Sequence, residues 1–258
     1  MTWVLLRGLM REQRHWGSFL PQFRAAIGEP VVTIDFPGNG QWYQTASASS
    51  IEAMVEHCRR QLALRHIRTP VKLLALSLGA MVGVAWTHAY PAELQRLVLI
   101  NTSLAPHNPF YRRLRPQNYP AILATMLLGS STEREALILR ITSQQSNPQQ
   151  AAALIQDWVA YAQQCPISRA NILRQLWAAL RYRAPRTPPT APLLMLAGAG
   201  DRLVHPACSV GLAKRWHATL QLHPQAGHDL PLDDSQWVIE QVTRWLQNSA
   251  TVSAASRG

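Results

Sequence analysis

Short, nearly unbroken apolar runs alternate along the first part of the chain with longer stretches in which apolar side chains recur every three or four positions. The first kind of segment suits a parallel strand covered on both faces, the second a helix with one stripe against a sheet. Trp3 to Leu6 predicts a strand, the stretch around His15 to Ala26 a helix that stops near Gly28, and Val31-Val32-Thr33-Ile34 a second strand. Asp35-Phe36-Pro37-Gly38-Asn39-Gly40 reads as a loop rich in turn residues. Ile51, Met54, Val55, Cys58 and Leu62 then repeat at helical spacing, and Val71 to Leu76 predicts a central strand. A helix follows Ser77 through about Tyr90, and Leu94 to Ile100 predicts a further strand.

From about Ala105 to Thr190 the alternation stops and only helices are expected. Thr132-Glu133-Arg134-Glu135 predicts a capping box, Asn147-Pro148 a cap and first-turn proline opening a helix through Ala162, and Ser168 to Tyr182 another helix. Pro185, Pro188, Pro189 and Pro192 make a stiff return link. Sheet logic resumes at Leu193-Leu194-Met195-Leu196, which runs into Gly198-Ala199-Gly200-Asp201. Pro206 to Trp216 predicts a helix and Thr219 to Leu222 a short strand, while Val238, Val242, Trp245 and Leu246 mark the inner face of a closing helix. From about Asn248 to Gly258 small and polar residues predict fraying. This order defines an α/β chain, with a mostly parallel twisted sheet flanked by helices formed from 1–104 and 191–258, and an all-helical segment, 105–190, inserted between them.

Composition narrows the picture. A chain of 258 residues buries enough surface to need no covalent staples. Cys58, Cys165 and Cys208 are widely spaced with no Cys-x-x-Cys pair, so neither a disulfide framework nor a metal site is expected, and they read as small buried hydrophobes in a reducing compartment. The stretch Met1 to Arg7 lacks the features of a secretory signal, and the run Leu73 to Trp86 is broken by Ser77, Gly79 and Gly83 and is shorter than the ~20 residues that cross a bilayer. A cytoplasmic protein is the expectation. The net charge of +11 would suit an acidic partner, but no nucleic-acid motif accompanies it, and binding of nucleic acid is not expected.

The candidate chemistry lies at loops that follow strands. Ala75-Leu76-Ser77-Leu78-Gly79 stands between an apolar strand and a helix, where a tight turn lifts a serine hydroxyl above the strand end; the same serine could instead cap the helix. Asp201 ends a strand in a glycine-rich turn, and His228 lies in Ala226-Gly227-His228-Asp229 after the last strand. Loops leaving the carboxyl ends of parallel strands meet at one sheet edge, so Ser77, His228 and Asp201 can converge as nucleophile, base and orienting acid. The amides of Leu78 and of Leu9, in Arg7-Gly8-Leu9-Met10, are candidates for an oxyanion hole.

Together these motifs resemble the α/β-hydrolase superfamily over nearly the whole chain. The resemblance implies a serine hydrolase of carboxylesterase or thioesterase type that needs no cofactor, with the inserted helices as a cap where substrate is chosen. Two positions depart from the family pattern: Arg7 stands where a histidine commonly precedes the glycine, and Ala75 where a glycine is usual. The nucleophile position holds Ser77 and not the aspartate of dehalogenases and epoxide hydrolases, and Asn101, at the strand end where some relatives place the acid, is no anion. Asp35 occupies a position that is structural in many relatives. Ten arginines (Arg112, Arg113, Arg115, Arg134, Arg140, Arg169, Arg174, Arg181, Arg183 and Arg186) face only Glu133, Glu135 and Asp157 in the insertion. They would suit an acidic acyl carrier protein, as in the carrier methyl ester esterases of biotin synthesis, or simply a solvated helix face. Ile122, Met126, Leu127, Trp158 and Trp177 could line an acyl pocket or serve ordinary packing. A non-catalytic ligand receptor on the same scaffold is the alternative to an enzyme.

Overall fold

A computed structural model describes the backbone of residues 1–255 and the side chains of these except Leu127 and 249–255. Six strands form one sheet, β1 (Trp3–Leu6), β2 (Val31–Ile34), β3 (Val71–Leu76), β4 (Leu94–Ile100), β5 (Leu193–Gly198) and β6 (Thr219–His223), in the order β2-β1-β3-β4-β5-β6. Every neighbouring pair is parallel. All carboxyl ends therefore point to one edge.

The continuous apolar runs of the strands divide between two cores, because successive side chains leave opposite faces of a strand. Val4, Leu6, Leu73, Ala75, Leu97 and Leu99 pack on one side with α2 (Ile51–Leu64), α3 (Leu78–Ala89) and α9 (Ala207–Trp216). Trp3, Leu5, Leu74, Leu76, Val98 and Ile100 pack on the other with α1 (Phe19–Ile27) and α11 (Ser235–Ala255). Trp3 meets Phe23 edge to face at 5.4 Å between ring centroids, tying β1 to α1.

Between β4 and β5 the chain forms α4 (Phe110–Arg113), α5 (Tyr119–Leu128), α6 (Ser131–Thr142), α7 (Pro148–Gln164) and α8 (Arg169–Arg181), and the short α10 (Leu230–Asp233) follows β6. No strand interrupts this insertion among the described residues.

Several boundaries differ from the sequence reading for identifiable reasons. The helix expected from His15 is two pieces, a 3-10 turn over Gln13–Trp16 and then α1, separated at Gly17, whose φ of 49° only glycine adopts readily. The capping box at the start of α6 uses Ser130 and Glu133, not Thr132 and Glu135. Glu135 instead turns inward to accept a hydrogen bond from Arg11 at 2.7 Å. The backbone is helical through Ala255, where fraying from Asn248 is the expectation from composition, and 256–258 lie outside the described residues. Cys58 and Cys208 are buried as expected, whereas Cys165 is only half-buried. No helix among the described residues is long and apolar enough to cross a membrane.

Candidate active site

Ser77 sits between β3 and α3 with φ 57° and ψ −112°, a conformation that costs a non-glycine residue of order 1–3 kcal/mol and is held by its surroundings. Its N–H donates to the Ile100 carbonyl at 3.0 Å, and its carbonyl accepts from Ala80 N–H at 3.0 Å. The crowding expected at such a turn is real. A Cβ on Gly79 would lie 2.7 Å from the Leu6 carbonyl oxygen and 2.8 Å from that of Arg7, so only glycine lets α3 approach the loop after β1. Ala75 is tolerated because its methyl group points into the core beneath the turn, where it is fully buried.

Asp201, beyond the end of β5, accepts at Oδ1 from the N–H groups of Leu203 and Val204 at 2.8 and 2.9 Å. Its Oδ2 accepts from His228 Nδ1 at 2.7 Å, and both side chains are nearly sealed from solvent, at 1% and 5% exposure. With Nδ1 so engaged, Nε2 is the ring nitrogen left for chemistry. Ser77 and His228 both line one cavity of about 380 Å³, within the usual range for small-molecule sites. Leu9 and Leu78 line it too. Leu78 N–H is the first of α3 and so has no intrahelical acceptor, while the next amide of the β1 loop, Met10 N–H, is already given to Gln175 Oε1 at 3.1 Å.

The rest of the wall is mostly apolar and comes largely from the insertion, including Ile122, Met126, Leu137, Ile138, Ile141 and Leu176. Of the five apolar residues singled out from sequence, Ile122 and Met126 reach the cavity. Trp158 is buried elsewhere, under the Arg11 guanidinium at 4.3 Å, Trp177 is half exposed, and the Leu127 side chain lies outside the described residues.

Residues with no evident role in the sequence complete the site. Arg7 donates from Nη1 and Nη2 to the two carboxylate oxygens of Asp229, at 3.0 and 2.6 Å, with both side chains buried. This pair ties the loop bearing Leu9 to the loop bearing His228, and the guanidinium also lies 4.7 Å from the Trp16 ring centroid. The departure at Arg7 thus has its partner one residue past the histidine. Asn101 donates from Nδ2 to the carbonyls of Gly227 and His228 at 2.9 and 2.8 Å and accepts at Oδ1 from Gly198 N–H at 2.9 Å. It buttresses both loops and carries no charge. Gln175 of α8 is fully buried and, beside Met10, donates to Asn39 Oδ1 and Ser47 Oγ at 2.8 and 3.0 Å. Its helical spacing from the buried Asn171, Ile172 and Ala178 is the one signal by which it could have been found.

Asp35 does not line the cavity. It accepts at Oδ1 from Gln13 N–H at 2.7 Å, and burial, aided by the nearby Glu12 charge, raises its pKa to about 7.

A family model described as serine aminopeptidase, S33, matches residues 8–235, most of the chain. The chain belongs to this family of α/β-hydrolases. The hydrolase is similar in structure to an enol-lactonase from Burkholderia xenovorans, with a TM-score of 0.77 at 17% identity, covering 95% of this chain and 91% of that one. It is similar likewise to a thermophilic esterase from Thermogutta terrifontis, with a TM-score of 0.75 at 18% identity, covering 96% and 90%. At such identities the likeness speaks for the fold. In sequence the hydrolase is 32% identical over 102 residues to the biotin biosynthesis bifunctional protein BioHC of Teredinibacter turnerae, a match that spans 39% of this chain and 17% of that protein.

Proposed function

We propose that this hydrolase cleaves a carboxylic ester or thioester through an acyl-enzyme on Ser77. The observation that carries the reading is the buried 2.7 Å bond from His228 to Asp201 beside a strained serine on the wall of the same cavity. Ser77 Oγ attacks the acyl carbon and passes its proton to His228 Nε2, while Asp201 holds the tautomer and stabilises the imidazolium. The amides of Leu9 and Leu78 receive the developing oxyanion, a contribution worth about 10²–10³ in rate per donor in comparable enzymes. Collapse of the tetrahedral adduct breaks the bond to the alcohol or thiol, which leaves with the proton from His228. Water, deprotonated by the same histidine, then releases the acid and restores Ser77. The insertion serves as a cap, since its helices supply most of the apolar wall against which an acyl chain would pack.

A fluorophosphonate probe tests the activated nucleophile. Labelling of the wild type that disappears in Ser77→Ala is expected, and a well-folded wild type that does not label would favour a non-catalytic receptor. Hydrolysis of p-nitrophenyl esters should fall roughly a millionfold in Ser77→Ala and in His228→Ala. Losses under tenfold in both would contradict the assignment.

The sequence match to the biotin biosynthesis protein and the exposed arginines of the insertion, Arg140, Arg174, Arg181 and Arg186 among them, favour one narrower reading, an acyl group delivered by an acidic carrier protein.

A further inference from the structure

The cavity holds more positive charge than its own residues neutralise. Its charged lining consists of Arg7, Arg11, Arg113, Arg134 and Asp229, beside His228. Arg7 is paired with Asp229, and Arg11 with Glu135 at 2.7 Å between side chains less than 10% exposed. Arg113 and Arg134 have no carboxylate within ion-pair distance among the described residues. Among the described residues the Arg134 guanidinium donates to Ser131 Oγ, at 3.0 Å. Arg113 donates from Nη2 to the Ala179 carbonyl at 2.7 Å, and its Nε–H is buried without an acceptor. Burial pushes the Arg113 guanidinium down from its ordinary pKa; Cys208 opposes this more weakly, and the like charge of Arg183 adds to the lowering. A partly desolvated cation without a counter-ion is unfavourable, and the wall around it is apolar, so an anion brought by a ligand is what would complete it.

We infer that Arg113, with Arg134 lining the same cavity, forms an anion subsite there, so that the substrate carries a carboxylate or phosphate in addition to its scissile bond. Arg113 is suited to this role by its anchoring. The bond to Ala179 in α8 holds the guanidinium in place, which lowers the ordering cost of binding an anion with the nitrogens that remain. Apolar residues of the same cavity, such as Ile122, Met126 and Leu137, would contact the hydrocarbon portion. The inference rests on the hydrolytic reading only for which end of the ligand faces Ser77.

Two substrate pairs separate the sources of the anion. In the first, mono-p-nitrophenyl adipate is compared with the neutral p-nitrophenyl methyl adipate, and in the second, hexanoyl-phosphopantetheine with hexanoyl-N-acetylcysteamine. The readout is the ratio of kcat/KM for the charged over the neutral member, which cancels general effects on folding or chemistry. A tenfold or larger preference is expected in one pair, falling to within twofold in Arg113→Met. Arg113→Gln, which keeps a donor for the Ala179 carbonyl and drops the charge, should lose the preference as well. No preference in either pair, or one that survives in both variants, overturns the subsite. Should Ser77 prove unreactive to the fluorophosphonate, the subsite is judged by binding alone. Calorimetry on Ser77→Ala should then show monomethyl adipate binding at least tenfold tighter than dimethyl adipate, dependent on Arg113, and equal affinities would reject it.

Discussion

At the scale of single residues, the two departures from the family pattern have different physical meanings. Ala75 is a small change absorbed by the core, whereas Arg7 requires an anion, and Asp229 supplies it. Removing one member of such a pair leaves a buried charge alone. Arg7→Met should therefore cost about 3–5 kcal/mol in urea unfolding, while Arg7→Met combined with Asp229→Leu should recover much of that loss. Additive losses in the double variant would show that the two charges are not coupled. Asp35 offers a pH test. Its carboxyl keeps a proton in the folded protein up to about pH 7, whereas the unfolded chain releases it near 3.8, so this group makes stability fall as pH rises through that window. Asp35→Asn should gain in melting temperature relative to the wild type on going from pH 5 to pH 8. A difference that is the same at both pH values would refute the shifted carboxyl.

Among the elements, strand and helix identities were legible because each writes its period into the sequence. The apolar runs from Trp3, Val31, Val71, Leu94 and Leu193 are all strands of one sheet, and the stripe Ile51, Met54, Val55, Cys58, Leu62 faces the core. Helix ends were less legible. Thr132 and Ser130 are both good caps near a glutamate three residues on, and the choice fell to Ser130 because Glu135 is claimed by Arg11 from a distant loop. The contact of α8 with the loop after β1 is likewise long-range. Gln175→Leu would strand Met10 N–H and Asn39 Oδ1, each unsatisfied group costing about 1–3 kcal/mol, while Ser47 Oγ keeps its bond to the Pro37 carbonyl. We expect a clear drop in the urea midpoint together with slower ester hydrolysis, because Met10 adjoins Leu9. A variant as stable and as active as the wild type would show that this bond matters to neither.

For the whole molecule, the sheet topology brings residues 77, 201 and 228 to one edge, and the helices between β4 and β5 supply much of the cavity wall. The distribution of charge is also a property at this scale, since +11 is spread over many arginines and no single one defines a partner. If the substrate is carried by an acidic protein, reversing Arg140, Arg174, Arg181 and Arg186 to glutamate should lower kcat/KM for the carrier-bound acyl group at least tenfold. The same change should leave a small p-nitrophenyl ester within twofold, and added salt should weaken the wild type in the same selective way. Equal effects on both substrates would exclude a steering role for these charges.

Taken alone, the amino-acid order determines the succession of strands and helices, the placing of Ser77, Asp201 and His228 each just past a strand, and the excess of positive charge in the insertion. These are local properties, written in periodicity and in the residue types that turns demand. Only the folded chain decides that Arg7 meets Asp229, that Arg11 meets Glu135, that Gln175 holds the loop after β1, and that Ile122 and Met126 reach the cavity while Trp158 and Trp177 do not. Such pairings join positions far apart in the chain. They depend on how helices rotate and dock on the sheet, for which neighbouring residues carry no periodic signal.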